Sequence, residues 1–190
     1  MRDPLIGLRR RLDLFGIDEA TTTTLVPFLP VVRREIDTIL HEFWRTMRAH
    51  PEIDRLFAGQ DQYRLIDKQR AHWLSVFACE WNEAYVHRAI AIGKAHARSG
   101  GRPTLYVAGY SKLRRSFLRC AVRVFGDSAA LPDILCAIEK VVTMDQDIVL
   151  ASHMHRFWKD SAPGPAEPEQ TPEPQAATAA DPVDDSIVYV

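Results

Sequence analysis

One histidine stands where a metal ligand could stand. His96 shares a helical stripe with Tyr85, Ala89 and Ile92, and the rest of that stripe is apolar or small, since residues three and four apart fall on one face. Gly93 lies one turn before it, and Gly100 and Gly101 close the segment, as glycines do at helix C-termini. Pro103 opens the next helix, whose inward side carries Tyr106, Gly109, Tyr110 and Leu113. An imidazole with small neighbours on a greasy face, opposed by tyrosines, could hold a flat cofactor by its metal. The same spacing suits a core histidine bonded to a carbonyl or hydroxyl, and spacing alone leaves both readings open.

The other reactive residue types offer less. His153 and His155 form an H-x-H pair that a helix points to different sides, which is a poor metal site. His41, His50 and His87 fall on polar faces or at a terminus. No nucleophile–base pair, glycine-rich phosphate loop or paired-carboxylate site supports independent catalysis, so an enzyme is not expected. Cys79, Cys120 and Cys136 are an odd number within apolar helical stretches. They read as small core residues of a reduced, cytoplasmic protein. The formal net charge of -1 provides no basic field for nucleic acid or anionic lipid. No opening segment resembles a signal peptide, and no apolar run spans a bilayer, so neither nucleic acid nor membrane is an expected partner.

The elements that must position these residues all read as helices. A short amphipathic helix runs over 3–15 with Leu5, Leu8, Leu12 and Phe15 on one side, and Gly16 stops it. Asp18 caps the next, with Glu19 in its first turn. Thr21 to Thr24 are too isolated to pair as a strand. Pro27 and Pro30 break the pattern, and a fresh helix from Pro30 to about Ala49 faces Ile36, Ile39 or Leu40, Phe43 and Met47 inward. His50-Pro51 ends it, because the residue before proline is pushed from helical conformation. A short turn or helix over 52–59 delivers Leu56 and Phe57. A long helix follows over 61–80, with Leu65, Gln69, His72 and Val76 on one stripe and Ile66, Trp73 and Phe77 beside it. After the His96 helix and the 103–125 helix, Gly126 is a stop and Ser128 a cap. The last helix runs from about Ala129 to Trp158 with Leu131, Leu135, Ile138, Val142 and Val149 at helical spacing. With 190 residues and 46% hydrophobic composition the chain can bury one domain core, and the expected fold is all-α, without strands.

From Lys159 the composition changes. Prolines at 163, 165, 168, 172, 174 and 182 among Ala, Glu, Gln and Thr leave little to bury, which reads as a disordered, partly extended tail or linker over 159–190. The final Ser186-Ile187-Val188-Tyr189-Val190 has the apolar character of a strand that could join a partner's sheet edge, though unpaired termini are the commoner case.

Several separated motifs carry a family resemblance. Gln69-Arg70-Ala71-His72-Trp73, Glu83-Ala84-Tyr85-Val86, Ile92-Gly93, His96-Ala97-Arg98, Tyr106 and Gly109-Tyr110 resemble, in order and spacing, the haem-binding domain of globin-coupled sensors. The similarity runs from about Leu12 to Trp158. It implies a globin fold with an extra N-terminal helix over residues 1–158 and haem b (iron protoporphyrin IX) as cofactor. It also implies His96 as the proximal iron ligand. In such a site the iron is held by one neutral imidazole and the opposite side is left for a gas or an internal ligand.

The resemblance gives the other candidate residues their places. Phe43, Trp44, Met47, Phe57, Leu65, Lys68, Gln69 and His72 fall on the distal side, and Ile92, Tyr106 and Tyr110 on the proximal side. Tyr106 matches a tyrosine near the proximal histidine, where its hydroxyl is a candidate to restrain the imidazole. Trp44 stands where many members have a tyrosine that donates to bound oxygen, and an indole donates only through one fixed N–H. Lys68 matches a position over the iron that is commonly small or apolar. Its stem can reach out to the haem propionates or solvent, or the amine can deprotonate and bind the iron. The family's histidine at the place of His72 is not an iron ligand, so His72 is read as structural.

The expected function is therefore a haem-based sensor of O2, CO or NO. It would signal through a homodimer of the last two long helices to a separate partner or an output domain beyond this chain. A globin with redox or NO-detoxifying chemistry, and a cofactor-free helical adaptor, are the alternatives. The first of these needs an electron donor, and the chain encodes no flavin or nicotinamide domain.

Overall fold

Short polar caps and prolines set the helix starts. Asp18 accepts the backbone N–H of Thr21 at 2.8 Å, and the Thr21 hydroxyl reaches back to the Asp18 N–H, a reciprocal capping arrangement. It opens α2 (Glu19–Leu25), after α1 (Pro4–Leu14). Prolines in the first turn open α3 (Leu29–Arg48) and α4 (Pro51–Leu56). Asp61 caps α5 (Gln62–Phe77) and Asn82 caps α6 (Glu83–Arg98). Pro103 opens α7 (Pro103–Phe125), and α8 (Leu131–Asp160) completes the chain. The computed structural model describes residues 4–160, with side chains over 7–154.

Among the described residues there are eight helices and no strand, as the periodicity leads one to expect. Boundaries differ by a residue or two at several ends. The α3 helix begins at Leu29, just before Pro30, because proline in the first turn gives up no internal hydrogen bond. The Ser128 hydroxyl accepts from Ala130 N–H at 3.2 Å, and α8 starts at Leu131. It continues through Lys159 and Asp160, past the expected boundary at 158. The proposed tail beyond that point lies outside the described residues, as does the side chain of His155.

Helix ends follow two routes. Gly100 has φ +75° and closes α6 in the left-handed region open to glycine. Gly126 keeps a right-handed conformation instead. After α5 the reversal falls on Cys79, with φ +57°, which costs an ordinary side chain on the order of 1 kcal/mol. The cysteines are thus not uniformly core residues. Cys120 is buried, Cys79 is half-buried in a turn, and Cys136 is exposed on α8. Helical spacing placed Cys136 near an apolar stripe but one step off its buried edge. Burial raises the Cys79 thiol to about 11.

The core is aromatic where α2, α3, α5 and α7 meet. Phe77 packs edge-on to Phe28 and Phe117 at ring distances of 5.4 and 4.7 Å, and Trp73 lies 5.0 Å from Phe117. All four are essentially buried, so truncating one to alanine is expected to cost about 3–5 kcal/mol. Beside this core α6 lies directly on α8. A methyl group at Gly93 would fall 2.3 Å from the Val149 carbonyl oxygen and 2.7 Å from Ser152 Cβ. Only glycine allows so close an approach of the two backbones. A bidentate pair from Arg102 to Glu52, at 3.0 and 2.7 Å, ties the α6–α7 connection to α4. Among the described residues no helix is long and apolar enough to cross a membrane.

Candidate functional site

His96 sits in the last turn of α6, partly buried, one turn beyond the Gly93 crossing. Its Nδ1 lies 2.9 Å from the carbonyl oxygen of Ile92. A carbonyl can only accept, so Nδ1 carries the proton and donates, and the lone pair of the neutral ring resides on Nε2. Burial, with a smaller contribution from nearby His153, pushes the imidazole below its usual value, against the opposing pull of the Ile92 carbonyl. The ring is therefore neutral at physiological pH. A neutral imidazole, oriented through Nδ1–H and bare at Nε2, is what a metal requires of a histidine ligand. Among the described residues no group of three or more His, Cys, Asp or Glu side chains is arranged to hold a bare metal ion. Any metal at His96 would need its other ligands from a cofactor.

Two tyrosines of α7 lie beside His96. The Tyr106 ring stands edge-on to His96 with centroids 5.2 Å apart, and Tyr110 lies 4.7 Å from Tyr106. The Tyr106 hydroxyl is buried without a hydrogen-bond partner, and burial holds its phenol far above the usual range. It remains a neutral donor. Ile92 contributes a half-buried side chain and the carbonyl that orients His96.

Between α3 and α5, Arg70 pairs with Asp37 and Arg48 with Gln62 nearer the surface, and one further polar contact lies among aromatic side chains. The Trp44 indole N–H donates to Gln69 Oε1 at 2.7 Å. Trp44 is buried, edge-on to Phe57 at 4.8 Å and to Phe43 at 5.6 Å. Phe43 and Met47 lie over Gly109 of α7, each 3.6 Å from where its methyl would stand. Phe43, Trp44, Met47, Phe57 and Gln69 thus form one continuous wall, and Leu65 is half-buried against the same core.

Two candidates lie elsewhere. Lys68 is exposed on α5, so its ammonium stays in water. His72 is buried, and its Nε2 lies 2.9 Å from Asp145 of α8. This is the structural place expected of His72, but its partner was not anticipated. Asp145 is fully buried and also accepts from the hydroxyls of Tyr85 at 2.7 Å and Tyr110 at 2.6 Å. The available signal was a lone acid on the otherwise apolar stripe of Ile138, Val142 and Val149. His153 was also undervalued: it is buried, with its ring 6.3 Å from Tyr106. His41, His50 and His87 are exposed, as expected.

The fold agrees with that of known proteins. The structure superposes on the globin domain of a globin-coupled sensor from Geobacter sulfurreducens with a TM-score of 0.70 at 19% identity, covering 76% of this chain and 96% of that one. This establishes the globin fold. In sequence, the chain is 25% identical over 158 residues to the heme-based aerotactic transducer HemAT of Halobacterium salinarum. That alignment takes in 77% of this chain and 32% of the transducer, so the chain spans about a third of its relative's length. The family model named Protoglobin matches residues 7–158. The chain belongs to the protoglobin family.

Proposed function

We propose that this chain is a haem-binding, gas-sensing globin domain, with His96 as the proximal ligand of haem b. One observation carries the reading: the Ile92 carbonyl fixes the protonated Nδ1 of His96 and leaves Nε2 bare beside aromatic walls. When bound, haem supplies an iron with one position open to O2, CO or NO. The protein's own residues perform the rest. Ile92 sets the tautomer of His96, and Tyr106 limits rotation of the ring by standing against its edge. Trp44, Phe43, Met47 and Phe57 form an apolar wall that would shield a bound haem from water. The Trp44 N–H is engaged by Gln69, so it is not a free donor for a bound gas. Because Gln69 turns its oxygen to Trp44, its amide N–H groups are the unspent donors of that pair.

Sensing rather than turnover is the reading favoured by the relative named a heme-based aerotactic transducer. We infer a cytoplasmic homodimer that binds gas without catalysis and passes the event to an output segment or partner. The decisive experiment is a spectrum of purified protein reconstituted with haem, recorded with and without O2, CO and NO. A Soret band of stoichiometric haem that responds to CO is expected. In His96→Ala that band should be lost or reduced to weakly held haem, while helical circular dichroism persists. Normal haem stoichiometry and an unchanged ferrous–CO spectrum in His96→Ala would overturn the assignment.

A further inference from the structure

We propose that Asp145 is a positioning residue for His96, the joint that holds the helix of the iron ligand in place against α8. The proposal rests on the haem reading above and adds to it a residue outside the haem walls.

Asp145 collects one donor from each of three helices. Oδ1 accepts from Tyr85 of α6, while Oδ2 accepts from Tyr110 of α7 and faces Nε2 of His72 of α5. A buried carboxylate without partners would be very costly. Burial alone would raise this one, but His72 and the two phenols outweigh it and hold the group below the usual carboxylate range. It is ionised and accepts only, so His72 donates through Nε2, and its buried Nδ1 has no partner. Burial and the Asp145 charge keep Tyr85 and Tyr110 protonated as donors. The His72 and Tyr85 rings stack nearly parallel, 8° apart in plane at 6.1 Å, which fixes both donors laterally.

Two routes lead from this joint to His96. One is aromatic: Tyr110 packs on Tyr106 at 4.7 Å, and Tyr106 stands edge-on to His96 at 5.2 Å. The other is backbone: Tyr85 anchors the first turn of α6 to Asp145, and two turns later Gly93 seats α6 on Val149, one turn past Asp145 along α8. A displacement of His96 along its helix therefore cannot be absorbed at Gly93, where no space remains. It must turn the Tyr106–Tyr110 pair or stretch the bonds at Asp145. Packed contacts of this kind have discrete arrangements rather than continuous give.

The test uses Asp145→Asn and Tyr110→Phe in the full chain. Asparagine keeps the shape but turns an N–H2 group toward donors, and phenylalanine keeps the ring while removing one donor. Three readouts apply: the His72 Nε2–H resonance in haem-free protein labelled with 15N-histidine, the iron–histidine stretching band of the ferrous haem-loaded protein, and the CO dissociation rate. Asp145→Asn should bind stoichiometric haem, and both variants should move the iron–histidine band and change the CO rate roughly two- to thirtyfold, the range of measured long-range couplings. In Asp145→Asn the His72 resonance should shift upfield as its charge-assisted bond is lost. Folded variants with wild-type band and wild-type CO rate would overturn the proposal, and if Asp145→Asn fails to fold, Tyr110→Phe decides alone. A wild type that takes up no haem would overturn the haem reading and the coupling with it, whereas intact haem uptake with unmoved bands would overturn the coupling only.

Discussion

Which nitrogen of His96 is bare follows from a single carbonyl, and the exposure of Lys68 bears on which of its two fates to expect. The sequence places Lys68 over the iron only through resemblance, and two fates were open to it. In the structure it lies in solvent on α5, while its helix turns Ile66, Gln69, His72 and Trp73 toward the interior. Moving an ammonium from water into an aromatic wall is costly, and four methylenes of stem suffice to keep it outside. Ferrous, gas-free protein is therefore expected to be five-coordinate and high-spin, with a spectrum that Lys68→Ala leaves unchanged. A low-spin six-coordinate wild type that becomes high-spin in Lys68→Ala would show that the amine reaches the iron. At this scale spacing put His96 and the tyrosines of the next helix on inward faces, but it left the role of His96 open between a metal ligand and a core histidine, and only the family resemblance chose between them. Asp145 and the Trp44–Gln69 bond were not legible, since each joins residues from separate helices and no local pattern marks which buried donor meets which acceptor.

At the scale of elements, the least replaceable contact is the crossing of α6 over α8. The Cβ that Gly93→Ala would add meets a backbone carbonyl at 2.3 Å, and a carbonyl in mid-helix cannot rotate away. The helices must part, losing packing on both sides of the crossing. Overpacking of this sort costs about 1–3 kcal/mol, and here it also carries His96, one turn on, away from Tyr106. Gly93→Ala should lower the urea midpoint of the haem-free protein and speed transfer of haem to an apo-myoglobin acceptor. An unchanged midpoint and transfer rate would mean that α6 does not depend on this approach. The starts of α2, α5 and α6 were readable in Asp18, Asp61 and Asn82 because capping is a local hydrogen bond. Gly93 stood out in the sequence only as a small residue before a histidine, and the residues of α8 that it admits, Val149 and Ser152, lie more than fifty residues later.

For the whole molecule, the all-α class was legible because most helices announce their own apolar stripe, whereas the globin architecture was read from the family resemblance and is borne out by the structural likeness. What the helices leave uncovered is a matter of assembled surface. The α7 helix exposes Val107, Val122 and Val124 at 42%, 50% and 41%, and α8, at 30 residues, extends about 45 Å. Isolated exposed valines are ordinary, but these share one long helix with half-buried Leu118, and α8 carries half-buried Leu135 and Leu150. Two such helices from each of two copies would bury that surface in a four-helix arrangement. A homodimer through 111–125 and 131–152 is therefore expected in sedimentation experiments at tens of micromolar protein. Val122→Asp would place a charge on the covered face and should shift the species toward monomer while leaving haem uptake intact, since Val122 faces away from the core. A wild type that sediments as a monomer at that concentration would remove the dimer, and signalling would then have to leave this domain through α8 and the segment that follows it.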